Sequence, residues 1–175
     1  MKKYDFDSVG LLEYVKQKLG DNLIVAEIGV YKGEYAQSIN DILVPKEYHM
    51  VDTWGKHLQT YKDYPQMKKN NGWENLYSEI CSKFNKDNIK IHRMMSSEGV
   101  KLFPDGYFDF VYIDADHSYE TAKFDIIEWE KKVKKGGILA GHDWLVRSVR
   151  RALTELRGDD YNLTREMMKS WFWEV

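Results

Sequence analysis

Apolar positions along this chain switch between two spacings from one end to the other. Leu12, Val15 and Leu19 recur at helical intervals behind Asp7 and Ser8, either of which suits a helix cap. Asn22 to Ile28 follows as a short apolar run, the pattern of a strand covered on both faces. Tyr35, Ile39, Ile42 and Leu43 return to helical spacing, and Tyr48 to Val51 forms a brief second strand. Trp73, Leu76, Tyr77, Ile80 and Phe84 make a helical stripe, after which Ile89 to Met94 alternates as a third strand. Phe108 to Ile113 reads as a fourth strand, leading into a helix with Ala122, Ile126, Trp129 and Val133 inward. Gly136-Gly137 is expected to end that helix, and Ile138-Leu139-Ala140 to begin a fifth strand. Val146, Val149, Leu153 and Leu156 line a further helix, and Tyr161–Met167 and Trp171–Val175 read as short extended segments.

Strand and helix thus alternate about five times, which predicts an α/β fold with right-handed crossovers. The expected architecture is a three-layer, Rossmann-like sheet, mostly parallel, with helices on both faces. Prolines at 45, 65 and 104 do not mark a linker, so residues 1–175 are expected to form one domain opened by an N-terminal helix within 1–21. In such sheets ligands bind beyond the carboxyl ends of the strands, near the point where strand order reverses. The residues just after each strand are therefore where chemistry is expected.

Composition narrows the classes. With 43% hydrophobic and 14% aromatic residues the chain can bury a core and lacks the signature of disorder. Basic and acidic side chains number 26 and 28, so no surplus of positive charge exists to neutralise a phosphate backbone. A nucleic-acid partner is not expected. The longest apolar runs, such as Leu23 to Ala26, fall far short of the roughly 20 residues of a membrane span. Met1-Lys2-Lys3-Tyr4-Asp5 has no apolar stretch behind it, so no signal peptide is expected. Cys81 is the only cysteine, which excludes an internal disulfide and fits a cytoplasmic location.

The loop after the first strand reads Glu27-Ile28-Gly29-Val30-Tyr31-Lys32-Gly33. A nicotinamide dinucleotide site calls for G-x-G-x-x-G with the helix N-terminus free for pyrophosphate. Tyr31 stands where the middle glycine belongs, and Glu27 brings a negative charge that repels a pyrophosphate. A carboxylate suits a ligand bearing an ammonium and a sulfonium, as S-adenosylmethionine does. Without a ligand, the same glycines would only make a tight strand-to-helix turn. The second strand ends at Asp52, nineteen positions after Gly33 and close to the spacing at which an acid meets a ribose. Met95 and Ser96, after the third strand, are expected against an adenine.

Ile113-Asp114-Ala115-Asp116-His117-Ser118-Tyr119-Glu120 follows the fourth strand, and Gly141-His142-Asp143-Trp144 the fifth. Adjacent strands lie about 4.8 Å apart, so Asp114 and Asp143 can share a divalent cation, with His142 as third ligand. Oxygen ligands favour Mg²⁺ or Ca²⁺, and an imidazole moves preference toward Mn²⁺, Fe²⁺ or Zn²⁺. The alternative is that Asp114 positions the cofactor, Ser118 caps the next helix and His142 only packs.

These segments together resemble the class I methyltransferases. More narrowly, they resemble a family with I-D-x-x-H-S-Y-E followed by G-G and H-D, here Ile113–Glu120, Gly136-Gly137 and His142-Asp143, with Lys123, Asp125 and Trp129 between. Glu27 to Gly33 and Asp52-Thr53-Trp54 also match, so the likeness runs from about residue 22 to 150. Relatives include sugar and small-molecule O-methyltransferases and cephalosporin-hydroxylase-like proteins. The resemblance implies methyl transfer from S-adenosylmethionine to a small acceptor, a sugar or glycan precursor. It implies cofactor contacts from Glu27, Gly29, Tyr31, Gly33, Asp52, Thr53, Trp54, Met95, Ser96 and Asp114. In metal-dependent relatives an aspartate and an acidic pair hold Mg²⁺ or Mn²⁺; these correspond to Asp114 and to His142-Asp143, the histidine departing from the pair. An antiparallel last strand is also implied, which Trp171–Val175 can supply.

A hydroxyl acceptor needs its proton removed, and His117 is the expected base, with His142 second; a packed structural histidine is the alternative for each. Residues 55–72 carry no clear periodicity, and Trp54, His57, Tyr61 and Tyr64 among Lys56, Lys62, Lys68 and Lys69 suggest a lid over the acceptor or a solvated loop. Arg147, Arg150, Arg151 and Arg157 read as the solvent face of a helix. Three other functions compete. A nicotinamide-dependent reductase lacks its middle glycine and a Tyr-x-x-x-Lys motif. A nucleic-acid N-methyltransferase lacks an Asn/Asp-Pro-Pro-Tyr/Phe segment. A non-catalytic S-adenosylmethionine or nucleoside-binding module keeps half the site. The assembly is open between monomer and homodimer.

Overall fold

The structure, a computed structural model, describes residues 1–56 and 71–175. In chain order its strands are β1 (Lys2–Lys3), β2 (Ile24–Ile28), β3 (Glu47–Asp52), β4 (Ile89–Arg93), β5 (Phe108–Ile113), β6 (Val133–Gly141), β7 (Asn162–Leu163) and β8 (Trp171–Glu174). Its helices are α1 (Ser8–Leu19), α2 (Glu34–Leu43), α3 (Gly72–Lys83), α4 (Ser96–Gly99), α5 (Tyr119–Lys132) and α6 (Arg147–Arg157). Among the described residues the strands form one sheet in the order β1-β7-β8-β6-β5-β2-β3-β4. Pairing is parallel from β6 through β5, β2 and β3 to β4, and β8 lies antiparallel between β6 and β7. The expected α/β architecture and antiparallel last strand are both present.

Period-two alternation divides the core between two faces. Val25, Tyr48, Met50, Phe110 and Tyr112 pack toward Leu11, Leu12 and Val15 of α1, Ala36 and Ile39 of α2, and Leu76 and Ile80 of α3. Ala26, Ile28, Val51, Val111 and Ile113 face the opposite way, against Ala122, Ile126 and Trp129 of α5 and Val149 and Leu153 of α6. Asp7 caps α1, its Oδ1 accepting from Gly10 N at 2.8 Å.

Two local expectations change. The helix carrying Trp129 ends at Lys132, four residues before Gly136, and the glycine pair lies inside β6. Between Phe108 and Phe110 the β5–β6 register shifts, with Gly136 at φ +81. That backbone conformation is one a side chain disfavours, so the pair serves an irregularity within a strand rather than stopping a helix. The second change is β1, a two-residue strand with no periodicity to announce it, pairing parallel to β7. No helix among the described residues is long and apolar enough to cross a membrane.

Strand order reverses between β2 and β5: the chain builds outward through β3 and β4, then returns to the other side of β2. The crevice at that reversal is where the chemistry-bearing loops meet.

Candidate functional site

A cleft of about 730 Å³ opens there, within the roughly 300–1,000 Å³ of small-molecule sites. Glu27, Gly29 and Tyr31 line it from the β2 end, Asp52 from β3, and Tyr112, Asp114 and His117 from β5 and its loop. His142 closes one side, and Ser8, Val9, Tyr35 and Ser38 bring in α1 and α2.

The β2 loop is held by its neighbours before any ligand arrives. Gly29 N donates to Val51 O at 2.9 Å and Asp114 N to Ile28 O at 2.7 Å, so three strand ends are stitched together. Gly29 has φ +88, and a Cβ there would lie 1.9 Å from the Asp114 carbonyl oxygen. Close approach of β5, as much as of a ligand, therefore requires glycine at this position. Asp52 tightens the same loop. Its Oδ2 accepts from Val30 N and Tyr31 N, both at 2.8 Å, and its Oδ1 from Trp54 N at 2.8 Å. The residue expected to meet a ribose is thus also the buckle of the loop, with one lone pair on Oδ1 left for a ligand.

Glu27 is 2% exposed. Burial drives its carboxyl well above the usual carboxylate range, a hydrogen bond from Tyr48 opposes this, and the charges of Asp114 and Asp52 reinforce it. A buried acid facing a cleft, with one neutral donor as its partner, fits a cationic ligand and disfavours a phosphate. S-adenosylmethionine, with its ammonium and sulfonium, passes that test.

On the β5 side of the cleft, His117 Nε2 lies 2.6 Å from Asp143 Oδ2 and 3.6 Å from Asp114 Oδ1. His142 Nδ1 stands 3.4 Å from Asp143 Oδ1 and 3.8 Å from Asp114 Oδ2. Hydrogen bonds to Asp114 and Asp143 push the His117 imidazole up to about 10. Burial pulls His142 down, but Asp143 and Asp114 outweigh it and raise it above the ordinary histidine value. Asp143 is lowered: burial opposes its charge, and hydrogen bonds from both histidines win. One ligand atom each from Asp114, His117 and Asp143 falls within 4.8 Å of the others, a spacing that admits a metal ion. The expected set was Asp114, His142 and Asp143. The structure draws His117 into it through its Nε2 contact with Asp143, and leaves His142 beside it with longer contacts to the same acids.

Several expected cofactor contacts sit elsewhere. Trp54 is fully buried in the core, donating from Nε1 to Tyr31 O at 2.9 Å, and so supports the loop from behind. Thr53 is 5% exposed, with its carbonyl bound by Lys56 N. Gly33 packs on Ile80 and Phe84 of α3. Ser96 spends its hydroxyl on Asp125 Oδ1 at 2.6 Å and receives Trp129 Nε1 at 2.7 Å, and neither it nor Met95 lines the cleft. The suggested lid falls largely on residues 57–70, outside the described residues. In the sequence Tyr35, Tyr48 and Tyr112 look like ordinary core aromatics; only strand register shows that Tyr48 shares a face with Glu27.

A family model described as "Methyltransferase domain" matches residues 26–144. No curated protein matches the chain in sequence. Solved structures do match. The cofactor-bound Rv0187 from MTB has a TM-score of 0.67 at 14% identity, over 95% of this chain and 78% of its own. Precorrin-6y C5,15-methyltransferase from Geobacter metallireducens GS-15 gives 0.64 at 13%, over 94% and 89%. Spermidine synthase from Thermotoga maritima gives 0.62 at 13%, over 96% of this chain and 59% of that one. At these identities the structural likeness establishes the fold.

Proposed function

Because the chain belongs to the methyltransferase-domain family, we propose that it transfers a methyl group from S-adenosylmethionine to a hydroxyl of a small molecule, a sugar or similar compound, with a divalent cation assisting. One observation carries this reading: a buried acid, Glu27, lines the same cleft as Asp114 and His117, which form a carboxylate–histidine cluster with Asp143. The first matches a cationic cofactor; the second matches an acceptor oxygen that must lose a proton.

When bound, S-adenosylmethionine supplies an electrophilic methyl on sulfur, and the protein's part is alignment, dryness and a deprotonated acceptor. Glu27 takes the ammonium group, and the remaining acceptor capacity of Asp52 Oδ1 meets a ribose hydroxyl. The rings of Tyr35 and buried Tyr112 supply an apolar wall. Asp114, His117 and Asp143 would hold the cation, which would make the acceptor hydroxyl more acidic. To ligate the cation His117 would give up the proton that Asp114 and Asp143 favour, and its lone pair, then committed to the metal, would not be available to the acceptor. His142, with longer contacts to the same acids, is the side chain we assign to that task.

Titration calorimetry with S-adenosylmethionine, then methyl transfer to panels of sugars and phenols with and without chelator, tests the reading. Asp114→Ala is expected to abolish turnover while weakening cofactor binding less than Asp52→Ala does. Unchanged turnover in Asp114→Ala would remove that residue from the chemistry, and a protein that gives no heat at saturating cofactor is not this enzyme.

A further inference from the structure

Glu27 shares the α1–α2 face of the sheet with Val25, and the Val25–Tyr48 register brings Tyr48 to that face from the neighbouring strand. Tyr48 is 0% exposed, and its hydroxyl donates to Glu27 Oε2. Among the described residues no second hydrogen bond reaches this carboxylate, although Glu27 lines the cleft. Oε1 is therefore the oxygen left for a ligand. A core tyrosine with no partner other than an acid in a ligand cleft is an unusual use of a buried hydroxyl, which normally bonds backbone or water.

Resting on the cofactor reading above, we propose that Tyr48 is a positioning residue for S-adenosylmethionine: its hydroxyl anchors Glu27 Oε2 and so presents Oε1 to the cofactor's ammonium group. The anchor acts on charge as well as on direction. Glu27 is faced by Tyr48 of β3, Tyr35 of α2, Tyr112 of β5, and Asp52 and Asp114 at the strand ends. None of these is a cation. Burial and the two aspartates favour the protonated acid, and Tyr48 is the neighbour that favours the carboxylate a cationic ligand needs. Removing the hydroxyl leaves the ring volume intact but makes the carboxylate harder to form.

The test is calorimetric binding of S-adenosylhomocysteine, which keeps the ammonium and lacks the sulfonium charge, from about pH 6 to about pH 9, a span that brackets a raised carboxyl. Loss of one hydrogen bond to a charged group predicts roughly 10–100-fold weaker binding by Tyr48→Phe near neutral pH. The gap from wild type should narrow as pH rises. Glu27→Gln should bind weakly without that pH dependence, and adding Tyr48→Phe to it should change nothing further. Should Tyr48→Phe alone fail to fold, the double variant, which has no charge to bury, is compared with Glu27→Gln by itself. Wild type binding normally while Tyr48→Phe keeps the same affinity and pH profile overturns the proposal. So does a loss that is equal at every pH and persists in the Glu27→Gln background, since that is packing alone. A wild type that binds no S-adenosylhomocysteine overturns the cofactor reading itself, which no Tyr48 result can mimic.

Discussion

Replacing Asp52 by alanine should destabilise the protein in the absence of any ligand. Its carboxylate accepts three backbone amides, Val30 N, Tyr31 N and Trp54 N, each at 2.8 Å. A hydrogen bond to a charged group contributes about 1.5–3 kcal/mol, and a buried donor left unpaired costs about 1–3 kcal/mol. Asp52 is half-buried, so water reaches part of the vacated space and recovers some of this. A net loss of about 3 kcal/mol follows, or a melting temperature lower by about 6–12 °C for a chain of this size. Asp52→Asn keeps one acceptor oxygen for the Val30–Tyr31 pair and turns an N–H toward Trp54 N, so it should lose about half as much. Urea unfolding of the ligand-free proteins, with midpoint and slope fitted separately, measures both. If Asp52→Ala unfolds within about 0.5 kcal/mol of wild type, the range of an ordinary surface change, Asp52 serves the ligand only and its role as loop buckle is refuted.

Two further outcomes follow from the same geometry. Burial pushes Asp125 up to about 6, opposed by the hydrogen bond from Ser96 and reinforced by Asp116. The folded state therefore binds its proton more tightly than the unfolded chain, and ionisation costs the fold on the order of 2–3 kcal/mol at pH 8. Asp125→Asn should accordingly gain stability relative to wild type at pH 8, with the gain vanishing as pH falls through about 6 toward 4; a pH-independent difference in chemical denaturation would contradict this. Gly29→Ala forces a methyl to 1.9 Å from the Asp114 carbonyl at φ +88, so it should separate the β2 and β5 ends and lose at least about 3 kcal/mol. Retained stability, read from the melting temperature, would show that the loop relaxes.

Much of this protein is written in its apolar spacing. Val25, Ala26 and Ile28 belong to a short, β-branched apolar run whose length suits a doubly covered strand, and Trp73, Leu76 and Ile80 recur at helical spacing. Alternation of these elements then leaves a parallel sheet as the arrangement that right-handed crossovers allow. The positions of Glu27, Asp52, Asp114 and His142-Asp143 at strand ends follow from the same counting, so the cleft's acids were legible. Which partners they take was not. Gly136-Gly137 signals a break in any local reading, and only pairing with β5 turns it into a register shift within β6. His117 and His142 are equivalent as letters, yet the tertiary structure gives one of them the short contact with Asp143 and leaves the other at 3.4 Å. Tyr48 joins Glu27 through cross-strand register, and Ser96 turns from the cleft to Asp125 through helix packing. Periodicity is a property of one segment and is readable from it; a contact between two segments depends on register and on the loops between them, and those are decided when the whole chain packs.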